Sequence, residues 1–391
     1  MPTKLLRKAA GVMKDQRSLY LIKISGKKGL RNPSLEAAII KATSHDESTM
    51  DYKNANRVFN WIKTSPTFLR PFFWSLTKRI EKTHSWVVTL KGLMLIHGVF
   101  CTKIPTIKKI GRLPFDLSNF HDRYSNSARA WGFSAFVRAY YAFLDQHSSF
   151  LSCKCEQEEE EMPRGGKSME RSLSRLHQLQ TLLDLLLQIK PYGDGMEVGL
   201  VVEAMDCVVI EIFEVYSGIC NEVVYVLSGI FSVRNPQAPM ALKILKRVAT
   251  QNSQLSAYFA VCRNMGVLNA TEFPPIEQIP EEDIYDIECI IRSVQGNQKL
   301  GSIESENARP SRRQWEGEQK DSKKSLRTVI TENWEVFNDE LEDGGVEEGK
   351  GIGGGKKDFV NDFGACLDVG SNGNLNGFLH LQEQPKNLML L

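Results

Sequence analysis

The side chains best suited to binding a ligand are the cations near the start of the chain. Residues 1–150 contain 25 Lys and Arg against 9 Asp and Glu, a formal charge of +16, whereas residues 151–295 carry −9 and residues 296–391 carry −5. Lys53 and Arg57 lie four residues apart and share a face if that segment is helical. Several converging cations hold a multiply charged phosphate, so the pattern favours an inositol phosphate site, and a solvated cationic face is the alternative. The other cationic clusters are Lys23, Lys27, Lys28 and Arg31, then Lys78, Arg79 and Lys82, then Lys103, Lys108, Lys109 and Arg112.

No catalytic motif accompanies these cations. The sequence lacks a Gly-x-Ser-x-Gly turn, a phosphate-binding Gly-rich loop that ends in Lys-Ser/Thr, and a His-Glu-x-x-His zinc motif. His84 and His97 lie near apolar positions and are predicted to be core or capping residues. Cys153 and Cys155 are the one closely spaced cysteine pair. No metal site and no cofactor are therefore predicted, and the chain is not expected to be an enzyme.

Apolar residues recur with a helical period almost throughout residues 1–295, which predicts an all-α fold of about ten helices. Residues 133–144 and 176–187 follow the i, i+3, i+4, i+7 rule for one buried helix face. Asn32 and Ser85 stand where an N-cap would begin a helix. A further segment has its apolar set at Trp86, Leu90, Leu93, Met94 and His97, which likewise predicts a helix with one buried face.

The composition divides the chain into a helical domain, residues 1–295, and a tail. The acidic stretch at residues 153–168 is interpreted as a solvated loop within the domain. Residues 296–391 contain 14 of the 29 glycines, so this segment is predicted to be a flexible tail. No run of about 18 apolar residues is present. The start of the chain lacks an apolar signal core, so a cytosolic location is expected.

Several blocks in this order resemble the ANTH domain, the membrane-binding module of clathrin assembly proteins. The first block, residues 36–45, contains Lys41-Ala-Thr-Ser-His45, which is similar to the "KATxH" signature of the family. The opening Gly11-Val-Met-Lys-Asp-Gln is similar to the plant-type branch. The resemblance covers roughly residues 10–295, with further matching blocks at residues 57–62, 85–93, 115–120, 133–144, 179–186 and 240–273.

This resemblance implies a right-handed superhelical α-solenoid that binds phosphatidylinositol 4,5-bisphosphate. In the lipid motif of the family, Lys41 occupies the Lys of Lys-Ala-Thr, and Lys53 occupies the second Lys of a later Lys-x-Lys-His cluster. Asp51 and Asn54 replace the first Lys and the His of that cluster. The motif is therefore degenerate, because a carboxylate opposes phosphate binding. The expected phosphoinositide-binding residues are Arg31, Lys41, Lys53, Lys28, Lys27, His45 and Arg57.

The tail contains short segments that resemble peptides of coat-binding proteins. Trp334-Glu-Val-Phe337-Asn-Asp339-Glu340 resembles the Trp-x-x-Phe acidic peptides that dock on adaptor appendage domains. An aromatic pair on a transient helix is the alternative interpretation. Phe359 and Phe363, each preceded by Asp, are weaker candidates. Asp184-Leu-Leu186 resembles a clathrin-binding peptide, but its helical period favours burial.

The sequence as a whole predicts a peripheral membrane adaptor that acts in clathrin-dependent endocytosis and vesicle budding. The expected partners are a phosphoinositide-containing membrane, clathrin, adaptor appendage domains and a vesicle-fusion cargo helix. The expected locations are coated pits and vesicles on the cytoplasmic face of the plasma membrane and Golgi. The alternative is a helical scaffold of the same fold with weakened or lost lipid binding. A nucleic-acid partner is not expected, because aromatic residues do not interleave with the cations.

Overall fold

The described part of the chain consists of helices and the loops that connect them. The computed structural model describes residues 2–25, 32–123, 127–159, 168–193, 195–230 and 238–271, together with residues 282, 284–289 and 292. Within these ranges the prediction of an all-α fold is confirmed, since no strand is present, while the right-handed path of the solenoid stays a prediction. None of these helices has both the length and the hydropathy that a membrane span requires. The main helices are α1 (Pro2–Ser25), α2 (Pro33–Ala42), α3 (Tyr52–Thr64), α4 (Leu69–Thr83), α5 (Trp86–Cys101), α6 (Ser127–Glu159), α7 (Met169–Leu187), α8 (Gly199–Ile230) and α9 (Ala238–Asn264).

Helix α5 lies at the centre of the fold and is buried on every side. All its residues from Trp86 to Phe100 are buried, because α3, α4, α6 and α8 all contact it. The prediction of a single buried face is therefore wrong for this helix, as the surrounding helices leave it no solvent-exposed face. The buried set includes two polar side chains, Lys91 and His97. The prediction that His97 is a core residue is confirmed, since its Nδ1 lies 2.8 Å from the Tyr140 hydroxyl.

Helix α2 begins as its sequence predicts. Asn32 is the N-cap, and its Oδ1 accepts hydrogen bonds from the amides of Ser34 at 3.1 Å and Leu35 at 3.2 Å. Pro33 follows in the first turn, where its missing N–H costs nothing. The helix that leads into the predicted lipid motif is thus fixed at its start by local chemistry.

Helix α5 begins at the predicted residue but with a different cap. Ser85 occupies the N-cap position, yet its side chain makes no capping hydrogen bond. The amide of Trp86 donates instead to Asp122 Oδ1 at 3.1 Å. The prediction that the Ser85 side chain caps α5 is therefore wrong, because a carboxylate from a distant loop takes its place. His84 ends α4 in the left-handed conformation, with φ at 46°, which confirms its predicted capping role.

Helices α7, α8 and α9 form the second half of the described fold, in which α7 packs against both other helices. Buried glutamines join α7 to α9: Gln251 Nε2 donates to the carbonyl of Gln180 at 2.8 Å. Asp184 accepts hydrogen bonds from Arg247 and Gln251, and Leu186 is fully buried. The Asp184-Leu-Leu186 segment is therefore part of the core packing, which confirms the preference for burial over a clathrin peptide.

Helix α6 changes the interpretation of the acidic stretch. It continues to Glu159, so residues 153–159 are helical rather than the beginning of a loop. The predicted loop at residues 153–168 is wrong for this part, because the helical pattern of α6 runs on through the first glutamates. Residues 160–167 lie outside the described residues.

Gly98 marks the closest approach of α5 to α3, and this contact gives a prediction. A Cβ placed at Gly98 would overlap the Phe59 ring. We expect Gly98→Ala to lower the free energy of unfolding by about 1–3 kcal/mol, because the cost of overpacking outweighs the better helix propensity of alanine. Urea denaturation followed by circular dichroism measures the difference. Gly193→Ala is the control, since no atom lies within 4 Å of an added Cβ there. Equal stabilities of the two variants would contradict the prediction.

Candidate functional site

The predicted lipid-motif residues lie where α2 ends and α3 begins. Lys41 is exposed in the last turn of α2, and Lys53 and Arg57 are exposed in the first turns of α3. Residues 43–51, the junction loop, connect the two helices. His45 lies within the junction loop. The other predicted residues lie outside the described residues: Lys27, Lys28 and Arg31 of the basic segment, and Trp334, Phe337, Asp339, Glu340, Phe359 and Phe363 of the tail.

The start of the junction loop is held by Arg79, a buried arginine of α4 that is 7% exposed. Its guanidinium donates to Thr43 twice, to Oγ1 and to the carbonyl oxygen, each at 2.6 Å. It also donates to Asp15 Oδ1 of α1 at 2.8 Å. A buried guanidinium needs such partners, because an unpaired charge away from water is strongly destabilising. One side chain therefore joins α1, α4 and the loop.

Asp15 also binds His45, the last residue of the predicted signature. Its two carboxylate oxygens accept from the His45 amide at 2.9 Å and the His45 Nδ1 at 2.8 Å. Burial raises the pKa of Asp15, but His45 and Arg79 outweigh that effect, so the pKa lies below its ordinary value. Gly11 lies against the His45 side chain, where a Cβ would collide. The Nδ1 atom of His45 is thus directed towards α1.

Two further charged side chains, one buried and one half-buried, support the middle and end of the loop. Lys91 of α5 is fully buried, and its Nζ donates to Ser44 Oγ at 3.2 Å. Burial lowers the pKa of Lys91 to about 8, although Asp46 and Glu203 favour its charged form. Glu203 of α8 accepts from the Met50 amide at 3.1 Å. The loop is therefore fixed from below by side chains of four helices.

The two departures from the family motif are hydrogen-bonded to each other. Asp51 is the N-cap of α3, and its Oδ1 accepts from the Asn54 amide at 3.1 Å. Its Oδ2 accepts from the Asn54 side-chain Nδ2 at 2.6 Å. The carboxylate at this position stabilises the start of α3, where the positive end of the helix dipole also favours a negative charge. Sequence comparison with the family identified both residues but not their pairing.

Lys53 and Arg57 line one shallow depression of about 570 Å³, together with the Asp51 carboxylate and with Met50, Tyr52, Asn56 and Asn60. The Arg57 guanidinium lies 5.3 Å from the centre of the Trp61 ring, a cation–π distance. These two cations and the amide side chains beside them can donate hydrogen bonds to phosphate oxygens. The depression has no enclosing wall of apolar residues, so it suits a polar group at a surface.

A second basic depression, of about 660 Å³, lies between α1, α2 and α4. Its cations come from α1 and α4, and among the described residues Glu36 is the only carboxylate that lines it. Lys78 Nζ lies 3.8 Å from the centre of the Trp74 ring. The sequence singled out the α4 cations, but it did not place them beside those of α1, because that juxtaposition depends on how α1 docks. The lining cations are Lys14, Arg17, Lys78, Arg79 and Lys82.

The contacts of Asp15 predict a pH-dependent contribution to stability. Because its pKa is below 3.8 in the folded state, the contribution is present at neutral pH and is lost as the carboxylate is protonated in acid. We expect Asp15→Asn to lower the unfolding free energy by about 1–3 kcal/mol at pH 7. The difference from the unmodified chain narrows as the pH falls below 3.8. Urea denaturation at several pH values between 7 and 3 measures this difference.

Glu81→Gln on the exposed side of α4 is the control for the loss of one surface carboxylate. It should leave stability within about 0.5 kcal/mol of the unmodified chain at every pH. A stability difference for Asp15→Asn that did not change with pH would contradict the assignment of an ionised Asp15.

Comparison with known proteins places this geometry in context. Two Arabidopsis thaliana relatives are named "Putative clathrin assembly protein", At1g25240 and At1g68110. The first is 43% identical over 339 residues, covering 86% of this chain and 88% of the relative. The second is 41% identical over 343 residues, with the same coverage of 86% and 88%. The solved ENTH domain of epsin-2 in complex with phosphatidylinositol 4,5-bisphosphate is 18% identical, with a TM-score of 0.42 over 63% of this chain and 96% of that domain.

The family comparison covers the same helices that carry the junction loop. The model of the ANTH domain matches residues 34–293, which is more than half of the chain. This range begins in α2, includes Lys41, Lys53 and Arg57, and continues through α9. On the family match and the two relatives above 40% identity, the chain belongs to the ANTH domain family.

Proposed function

We propose that this chain is a peripheral membrane adaptor that binds phosphoinositides through its N-terminal helices and recruits coat components through its tail. Family membership, the names of the relatives and the charge of +16 in residues 1–150 support this function. Members of the family are non-enzymatic scaffolds, in agreement with the lack of a catalytic motif in the sequence.

The observation that carries the proposal is the pair of cationic helix ends around the junction loop. Lys41 at the end of α2 and Lys53 and Arg57 at the start of α3 are exposed, and buried charges fix the loop between them. A pre-fixed set of cations binds an anionic headgroup without a cost for ordering the loop. Each cation close to an anionic leaflet contributes about 1 kcal/mol. Lys27, Lys28, Arg31 and His45 are the further residues that we assign to this surface.

We assign membrane binding and coat recruitment to different parts of the chain. Residues 1–295 form the phosphoinositide-binding domain, and residues 296–391 form the tail. In the tail, the segment from Trp334 to Glu340 docks on adaptor appendage domains, with Phe359 and Phe363 as additional anchors. The two weak interactions reinforce each other at a membrane, because both ends are tethered on one chain.

The proposed setting is clathrin-dependent endocytosis and vesicle budding. The chain acts at coated pits and vesicles of the plasma membrane and Golgi, where clathrin is the coat. A vesicle-fusion cargo helix binds the second half of the domain. The alternative function is a protein-interaction scaffold of the same fold without lipid binding, which the presence of Asp51 in the lipid motif favours.

Charge reversal at the junction loop separates these two functions. We expect Lys41→Glu/Lys53→Glu to weaken binding of the full chain to vesicles that contain phosphatidylinositol 4,5-bisphosphate by at least about 30-fold, since about 1 kcal/mol is lost per cation and each new carboxylate adds repulsion. Co-sedimentation with such vesicles, with phosphatidylserine vesicles and with neutral vesicles measures the effect at two salt concentrations.

The matched control is Lys190→Glu/Lys243→Glu, which makes the same charge change at exposed residues of the other half of the fold. Equal binding by both double variants would contradict the assigned site and indicate that vesicles bind to a basic face without a specific headgroup site. No vesicle binding by the unmodified chain would support the protein-only scaffold.

Asp51 gives a complementary prediction in the opposite direction. Serine is also a good N-cap, so Asp51→Ser removes the negative charge while it keeps the start of α3. We expect binding to phosphoinositide vesicles to tighten by about fivefold, the equivalent of about 1 kcal/mol. Thermal unfolding checks that the fold is unchanged. Glu214→Ser, at an exposed position of α8, is the control, and a similar gain for that variant would show a non-specific charge effect.

A further inference from the structure

Three side chains with metal-binding atoms meet inside the fold, and a fourth lies beside one of them. His97 and Cys101 lie one turn apart at the end of α5, His147 comes from α6, and Glu211 comes from α8. One ligand atom each from His97, Cys101 and Glu211 lies within 4.8 Å of the other two. The His147 Nε2 lies 3.6 Å from Glu211 Oε1. His97 and Glu211 thus come into contact although they are 114 positions apart in the sequence.

These donors match the preferences of one metal. We propose that His97, Cys101, His147 and Glu211 bind a zinc ion, which uses nitrogen, sulfur and carboxylate ligands in a tetrahedral arrangement. At ordinary zinc–ligand bond lengths, neighbouring ligand atoms are about 3.3–3.8 Å apart. The Glu211–His147 distance of 3.6 Å already falls in that range. The ligand atoms of His97, Cys101 and Glu211 lie within 4.8 Å of one another, so the set is completed when they contract and the His147 ring moves towards His97 and Cys101.

The surroundings of His97 are those of a metal ligand with a fixed ring. Its Nε2 lies 3.1 Å from Glu211 Oε2, and its Nδ1 lies 2.8 Å from the Tyr140 hydroxyl. Without metal, Nε2–H donates to the carboxylate and Nδ1 accepts from Tyr140. When zinc occupies Nε2, the ring proton moves to Nδ1 and the Tyr140 oxygen accepts it, as second-shell partners of metal-bound histidines do. No new space is needed for this exchange.

His147 supplies a second reason to expect a cation here. Its ring is 12% exposed, and its Nδ1 has no hydrogen-bond partner among the described residues. Phe100 and Phe143 pack around it, which excludes water from that side of the cluster. The Glu211 carboxylate, which lies between the two imidazoles, supplies the negative charge that a bound cation needs.

Cys101 gives a metal ion access to the cluster from solvent. It is half-buried at the last residue of α5, whereas His97 is 1% exposed and Glu211 is 8% exposed. Zinc entering at Cys101 displaces the thiol proton and binds the thiolate, so one proton leaves for each ion bound. The bound ion would tie α5 and α6 to α8, and therefore join the two halves of the domain.

Calorimetric titration of the full, metal-free chain with Zn²⁺ tests the site. We expect one equivalent to bind with a dissociation constant below 1 μM, as is usual for sites that contain a thiolate. Titration in two buffers of different ionisation enthalpy should show release of about one proton. Co²⁺ in place of Zn²⁺ should give the visible absorption of a tetrahedral site and a thiolate-to-cobalt band in the near ultraviolet.

Cys101→Ser and Glu211→Gln should each weaken zinc binding by at least about 100-fold. Cys101→Ser should also remove the thiolate-to-cobalt band, whereas Glu211→Gln should distort it. Cys220→Ser, which removes a half-buried thiol elsewhere on α8, should leave both unchanged. Circular dichroism confirms that the variants are folded. No binding by the unmodified chain, or binding that survives Cys101→Ser in a folded variant, overturns the proposal.

Discussion

Buried charge is the constraint on which the candidate surface depends. Arg79 and Lys91 are buried beneath the junction loop, and Asp15 and Glu203 are half-buried there, so each of these charges needs a partner. Their partners are the polar atoms of the loop itself. The loop therefore adopts the conformation in which these four charges have hydrogen-bond partners. That conformation also sets the positions of the exposed cations on either side of the loop. The exposed cations that we propose to bind anions thus lie over an interior that also contains charged side chains.

Helix α5 connects that interior to the rest of the fold. Lys91 near its start reaches the junction loop, and His97 near its end contacts Tyr140 of α6 and Glu211 of α8. The helix is buried on all sides, so neither side chain can leave its place without exposing apolar neighbours. A single rigid element thus relates the basic N-terminal helices to the second half of the chain.

Local chemistry in the sequence predicted much of this structure, and non-local chemistry did not. The helical period and the Asn32 cap gave the helices and the start of α2, because both depend on residues a few positions apart. The pairing of Asp51 with Asn54 has a local signal as well, a capping carboxylate three residues before an amide, although it was not recognised. By contrast, Asp15 and Arg79 are 64 residues apart, and only the folded topology brings them together. The Asp122 cap of α5 was missed for the same reason.

The contact between Asp15 and Arg79 also decides where the folding unit starts. The family match begins at residue 34, yet α1 supplies the counter-ion for an arginine buried in the core of the matched region. A fragment cut at the family boundary would keep Arg79 and lose Asp15, so the arginine would have no counter-ion. Helix α1 therefore belongs to the domain as an integral part. Expression of the domain for crystallisation or binding work should retain the first helix, whatever the boundary of the family match suggests.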